Sequence, residues 1–285
     1  MLNPIEQGGR AQQGERDGTG SLAAHGEVSL ARISWIGFRT IVIREYSRIV
    51  RIWGQTLVPS AVNAALYFLI FGTLLGRRVG VVSGFSYSQF IAPGMIMLWL
   101  IQNSYTNVVS SFYGAKFGKH IEELLISPLP NWAIVAGYMM GGIVRGVLVA
   151  LVVTVVSLFF AHLPVAHPLA IIAAALLTSA AFALAGLINA VFAKNFDQVN
   201  LVPTFVLQPL SYLAGVFYSI NMLPVAARHI SLANPILYMV NAFRFGFLGV
   251  SDVGLLPAFA LMSGLAVALF VVAVVLLNRG AGIRD

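Results

Sequence analysis

The stretch 131–193, NWAIVAGYMMGGIVRGVLVALVVTVVSLFFAHLPVAHPLAIIAAALLTSAAFALAGLINAVFA, carries one formally charged side chain, Arg145, in its whole length. Two apolar runs, 131–161 and 168–193, flank a short turn at His162–His167 that contains Pro164. Each run exceeds the roughly 20 residues that a helix needs to cross the hydrocarbon core of a bilayer. A backbone surrounded by lipid must satisfy its own N–H and C=O groups, so these runs take the form of helices. The pair reads as one helix that crosses a membrane and a second that returns.

Four more runs of this kind lie outward of the pair. The first is 55–76, with Pro59 near its start and Arg77 and Arg78 closing it. The second is 88–113, inside an uncharged stretch, with Pro93 and Gly94 near its start. The fifth is 201–217, which contains Pro203 and Pro209, and the sixth is 253–277. Between these last two, 218–250 is apolar but broken by Pro224, Arg228, Asn234, Pro235 and Arg244. A straight span there would bury two arginines, so short interfacial or re-entrant helices are expected. The fold class is an all-α membrane protein with six transmembrane helices and short helices before the last of them.

Composition agrees. Of 285 residues, 59% are hydrophobic and 9% are charged, against about 25% charged in soluble domains. The absence of cysteine removes disulfides, thiol catalysis and thiolate metal sites. The net charge of +7 sits at the edges of apolar runs, where a cytoplasmic face and anionic headgroups favour it. Basic residues are nowhere interleaved with aromatics on a polar background, which argues against nucleic-acid binding. Residues 1–29 are rich in Gly, Gln, Glu and Arg and read as a disordered cytoplasmic tail. They lack the apolar core of a cleavable signal. With the N-terminus inside, twelve of the 17 Lys and Arg fall on the cytoplasmic side. Four fall outside, namely Arg77, Arg78, Arg228 and Arg244, and Arg145 falls within a span. That bias places both termini in the cytoplasm.

Three segments are candidates for function. In 31–53, Trp35, Phe38, Val42, Tyr46, Ile49 and Trp53 share one side of a helical wheel, with Arg44, Arg48 and Arg51 on the other. This is an amphipathic interfacial helix, either a membrane anchor or an elbow that braces a partner. In 116–130, KFGKHIEELLISPLP, the apolar stripe Phe117, Ile121, Leu124 and Leu125 faces away from Lys116, Lys119, Glu122 and Glu123. Pro128 and Pro130 end that helix. In the second span, Gln102, Asn103, Ser104, Thr106 and Asn107 either line a path or bond between helices. Arg145 is an intramembrane cation, read either as a site for an anionic group or as a structural residue. Around it, Gly137-xxx-Gly141 and Gly142-xxx-Gly146 allow close helix contact.

The chain has no nucleotide motif. GAKFGK at 114–119 is one residue short of a P-loop and is followed by His120 where Ser or Thr is required. No HExxH or GxSxG occurs, and the five histidines are scattered, so no metal site is expected.

Three stretches resemble the permease subunits of ABC-2 type transporters, and within them the YadH-like bacterial inner-membrane permeases. They are HIEELLISPLPNW (120–132), FDQVNLVPTFVLQPLSYLAGVFYSINMLP (196–224) and ANPILYMVNAFRFGFLG (233–249). The resemblance covers about 29–279 and makes 30–285 one transmembrane domain. It implies a subunit that pairs with a second copy and with cytoplasmic ATPase subunits, which would bind the ATP and Mg. It implies outward movement of drugs, lipids or glycans, with Lys116–Leu125 as the coupling helix. It also implies that 217–250 roofs an outer gate. Two other classes stand beside it, an ion-coupled secondary transporter and a membrane scaffold. The first is opposed by acids at Glu122, Glu123, Asp197 and Asp252 that all fall in loops or at span ends, since proton-coupled carriers use acids at membrane depth.

Overall fold

The computed structural model describes residues 30–121 and 129–282. Helix α1 is Leu30–Arg51. Its axis breaks at Ile52, and α2 follows over Trp53–Val79, with π-helical turns at Phe68–Leu75. A two-residue hairpin, β1 Val81–Val82 and β2 Phe85–Ser86, turns the chain into α3, Tyr87–Phe117. Ser86 and Gln89 cap α3 reciprocally, side chain to backbone in both directions. Then come α4 (Asn131–Leu158) and α5 (Pro168–Phe192). Helix α6 spans 196–212 in three parts of 7, 5 and 5 residues. Pro203 opens its π-helical middle part and Pro209 lies just beyond it. Neither has an N–H to donate, so the hydrogen-bond register slips there. Two short helices, α7 (Val225–Leu232) and α8 (Pro235–Leu248), precede α9 (Leu255–Arg279).

Among the described residues four helices are long and apolar enough to cross a membrane: α2, α4, α5 and α9. Helix α3 is longer than any of them at 31 residues but is more polar. Its place explains its composition. Nineteen of its residues are buried, against four of 25 in α9. It packs on α2, α4, α5 and α8 and forms the axis of the bundle. The polar groups of the axis meet protein, while α2 and α9 present Val62, Leu66, Val267 and Val271 outward. An apolar exterior of this extent suits a lipid solvent.

Glycine sets the spacing at the axis. A Cβ on Gly142 would lie 2.6 Å from Ala183 and 2.8 Å from Val108. One on Gly186 would lie 2.6 Å from the carbonyl oxygen of Tyr105. Gly146 faces Ser104 and Leu100 just as tightly, while Gly137 and Gly141 face Ile41 and Glu45 of α1. Both glycine pairs of α4 are therefore spent on packing inside this chain.

The remaining boundaries differ from the sequence reading in a few places. The third run ends as helix at Leu158, and 159–167 is a turn. The fifth begins at Phe196 and stops at Tyr212, five residues earlier at each end than 201–217. Asn195 is the reason for the start, because its side chain accepts from the Gln198 N–H at 2.9 Å and caps the helix. The short helices of 218–250 are present, but α8 is mostly buried among α3, α5 and α9. Arg244, expected on the outer side, is 1% exposed.

Gly142→Leu is expected to lower the apparent melting temperature of the detergent-solubilised protein. Overpacking of this kind costs about 1–3 kcal/mol. Gly264→Leu, where an added Cβ meets nothing within 4 Å, is expected to leave it unchanged.

Candidate functional site

Residues four apart on a helix share a face. Leu98, Gln102 and Thr106 of α3 therefore look the same way, and the way they look is into a groove. Its walls are α2, with Asn63 and Tyr67, and α6, with Gln208, Ser211 and Tyr212. Helix α3 is its floor. The cavity holds about 250 Å³, and its lining carries no charged side chain. Tyr67 and Tyr212 both line it, one from each wall. Amides, hydroxyls and aromatic rings in a largely apolar groove can hold a neutral or amphipathic molecule without a formal charge on either side.

The other polar residues of α3 point elsewhere. Asn103 is buried, and its Nδ2 donates to the Trp99 carbonyl oxygen at 3.0 Å. Ser104 and Asn107 are fully buried. Of the three residues read as a possible path, Gln102 lines the groove, and Asn103 and Arg145 do not.

Asn107 belongs to a second centre, which holds α1 against α3 and α4. The inward stripe of α1 is Ser34, Gly37, Ile41, Glu45 and Ile49. Glu45 is 1% exposed. Arg48 Nη2 donates to Glu45 Oε2 at 2.8 Å, to Asn107 Oδ1 at 2.7 Å and to the Asn107 carbonyl oxygen at 3.1 Å. The Ser111 hydroxyl donates to Glu45 Oε1. Arg44 Nη2 lies 3.8 Å from that same oxygen and donates to the Tyr138 hydroxyl at 2.6 Å. A buried carboxylate persists only with such compensation.

This arrangement corrects the sequence reading of α1. Trp35 and Trp53 do face outward, Phe38 is half-buried and Arg51 is exposed. Arg48, however, turns into the protein, and Ile49 is buried rather than outward. Glu45 went unread, although it stands four residues from both Ile41 and Ile49 in one apolar stripe. Glu45 is thus a buried acid beyond Glu122, Glu123, Asp197 and Asp252, the four weighed in the argument against a proton-coupled carrier.

The expected coupling segment divides. Lys116 and Phe117 are the last residues of α3. Lys116 Nζ donates to the carbonyl oxygens of Val191 at 2.7 Å and Ala193 at 2.9 Å, neutralising the C-terminal end of α5. Gly118 and Lys119 form a turn, with Lys119 at φ 58°. Phe117 is exposed beside Phe196, and Ile121 is buried. Glu122, Glu123, Leu124 and Leu125 lie outside the described residues. The described residues around it lie together. Asn131 at the start of α4 bonds to Asn278 near the end of α9, and Tyr113 near the end of α3 meets Phe196 at the start of α6. These ends gather at one pole of the bundle.

The opposite pole is held by Arg244. Its Nη2 donates to the Gly215 carbonyl oxygen at 2.6 Å, and its guanidinium lies 4.0 Å from the Phe90 ring centroid. Asp252, 4.0 Å from Nη1, accepts from the Ser219 hydroxyl at 2.9 Å and the Ile220 N–H at 3.1 Å. Loop 213–222 is thereby pinned to α8 and α3. No cluster of metal-ligating side chains occurs among the described residues.

Glu45→Ala is expected to leave the part-buried Arg48 without its anion. Breaking a buried pair in this way costs about 3–5 kcal/mol, read as a loss of folded protein in a detergent thermal-shift assay. Arg51→Ala, at an exposed position, is expected to leave stability unchanged.

Comparison with known proteins agrees with this architecture. The ABC-2 type transporter family model matches residues 37–248. The inner membrane transport permease YadH of Escherichia coli K12 is 48% identical over 256 residues, covering 90% of this chain and all of that protein. Nodulation protein J of Rhizobium leguminosarum bv. viciae is 27% identical over 198 residues, covering 68% of this chain and 75% of that protein. Its counterpart in Rhizobium meliloti is 23% identical over 195 residues, covering 68% and 74%. With a matching span that takes in α3 and every wall of the groove, the chain belongs to the ABC-2 type transporter family, as a multi-pass permease of the inner membrane.

Proposed function

We propose that this permease is the membrane-spanning half of an ATP-driven exporter. The observation that carries the proposal is the groove, with its polar floor on α3 and its open side between α2 and α6. A second copy closing that side would convert two grooves into one enclosed path. Six crossings follow, with α3 and α6 joining the four apolar helices. Support comes from the way successive helices run in opposite directions between the two poles. Both termini then lie in the cytoplasm, with α9 ending at the pole that holds the coupling segment. Energy enters there, through Lys116–Leu125, from a cytoplasmic ATPase that binds the ATP and Mg. The substrate is a neutral or amphipathic molecule of the drug, lipid or glycan class, in keeping with an uncharged lining.

A carrier driven by an ion gradient is the second reading, because Glu45 is buried. It is disfavoured by position. Glu45 is tied to two arginines away from the groove, and no acid lines the groove itself. The third reading, a scaffold without transport, has no use for such a groove.

Co-expression with its partner ATPase is expected to give a complex whose ATP hydrolysis depends on this chain. The Glu122→Lys/Glu123→Lys double variant is expected to reach the membrane at wild-type level and to lose most of the bound ATPase. Full assembly and activity in that variant would remove the coupling role of Lys116–Leu125. Failure of the wild-type pair to associate would remove the exporter reading.

A further inference from the structure

Three carboxamides meet in the groove from three different helices: Asn63 of α2, Gln102 of α3 and Gln208 of α6. All three residues are exposed, and none of their side chains bonds to another described residue. Neighbouring amides are used for structure instead. Asn103, Asn189 and Asn241 donate to backbone carbonyl oxygens, and Asn107 accepts from Arg48. Asn63 and Gln102 lie in the middle thirds of helices of 27 and 31 residues. An amide at that depth, with lipid around it in place of water, is costly without a partner.

A carboxamide presents an acceptor oxygen and a two-donor NH2 side by side. Its complement is a pair of groups of which one donates and the other accepts. Adjacent hydroxyls on a sugar ring are such a pair. Ser211 adds a hydroxyl to the same lining, and Tyr67, Trp99 and Phe217 add rings. The C–H face of a sugar ring is apolar and packs against the electron-rich face of an aromatic one. No acid lines the groove to hold a cation, and no Lys or Arg lines it to hold an anion. A plain hydrocarbon would leave the amides unpaired, which is the costly outcome. Leu98 and Leu207 continue the lining and suit an apolar tail.

We propose that the groove recognises the uncharged sugar headgroup of an alkyl glycoside, with Asn63, Gln102 and Gln208 bonding its hydroxyls and Leu98 and Leu207 beside its tail. The inference rests on the reading of the groove as the substrate path. It narrows that reading, because the three amides give a lipophilic cation, an anionic lipid or a plain hydrocarbon no matching partner.

The test uses the full-length permease in phosphatidylcholine nanodiscs, alone and with its ATPase. Octyl glucoside, below its micelle concentration, is compared with octanol, octyl sulfate and octyltrimethylammonium, which keep the tail and change the head. Tryptophan fluorescence and thermal shift read binding to the permease alone. Octyl glucoside is expected to bind saturably, and the other three are not. Asn63→Leu, Gln102→Leu and Gln208→Leu are each expected to weaken glucoside binding about tenfold, the loss of a pair of neutral hydrogen bonds, with oligomer size unchanged. Equal binding of octanol and octyl glucoside would overturn the proposal, as would undiminished glucoside binding in all three variants. A smaller oligomer in the variants without glucoside would overturn it too, by giving the amides to a second copy. The ATPase arm separates this inference from the exporter reading. Hydrolysis raised by one of the other probes and not by octyl glucoside would overturn the sugar headgroup and leave the exporter standing. Glucoside binding that never alters hydrolysis would keep the headgroup and count against the exporter.

Discussion

The bundle depends on how closely α4 and α5 can approach α3. Lipid tails are as apolar as leucine, so no hydrophobic force draws membrane helices together. Contact must come from backbone proximity, and Gly142, Gly146 and Gly186 supply it by leaving no room for a Cβ. Once α3 is enclosed, its polar residues have to find partners within the protein. Asn107 takes Arg48, Asn103 takes a backbone carbonyl, and Gln102 and Thr106 are left facing the groove. The groove is thus what remains of the polar content of α3 after the packing is satisfied.

The same constraint separates supporting charges from functional ones. Arg44, Glu45 and Arg48 tie α1 to α3 and α4. Lys116 caps α5, and Arg244 with Asp252 fastens the loop at the other pole. Each ion is used to fix one element against another, and none lines the groove. On the proposed exporter reading, a path lined by no charges needs energy from elsewhere, and the pole where α3, α4, α6 and α9 meet is where a partner would deliver it.

Much of this was legible in the sequence. Lipid as solvent makes apolar runs conspicuous, so α2, α4, α5 and α9 lie within a few residues of their expected bounds. The two-glycine spacings were legible as well. What escaped was direction and partner. A helical wheel seeks the largest apolar side chains and assumes they face protein or membrane together. In α1 the large ones, Trp35 and Tyr46, face outward, while small or polar Ser34, Gly37 and Glu45 face protein. That inversion hid Glu45. Arg244 looked like an outer-loop charge because its partners, Gly215 and Phe90, are distant in sequence. Residues 196–200, FDQVN, looked like loop because they are polar, although the Asn195 cap was there to be read.

The chain has no cysteine, which makes its groove directly testable. A single cysteine at Gln102 in the reconstituted permease–ATPase complex can be probed with a membrane-impermeant maleimide from either side. If the groove is the path and outside energy switches it, labelling from the cytoplasmic side will fall and labelling from the outer side will rise when ATP is trapped on the partner. A Gln102→Cys residue that reacts from neither side, or identically with and without ATP, would contradict it.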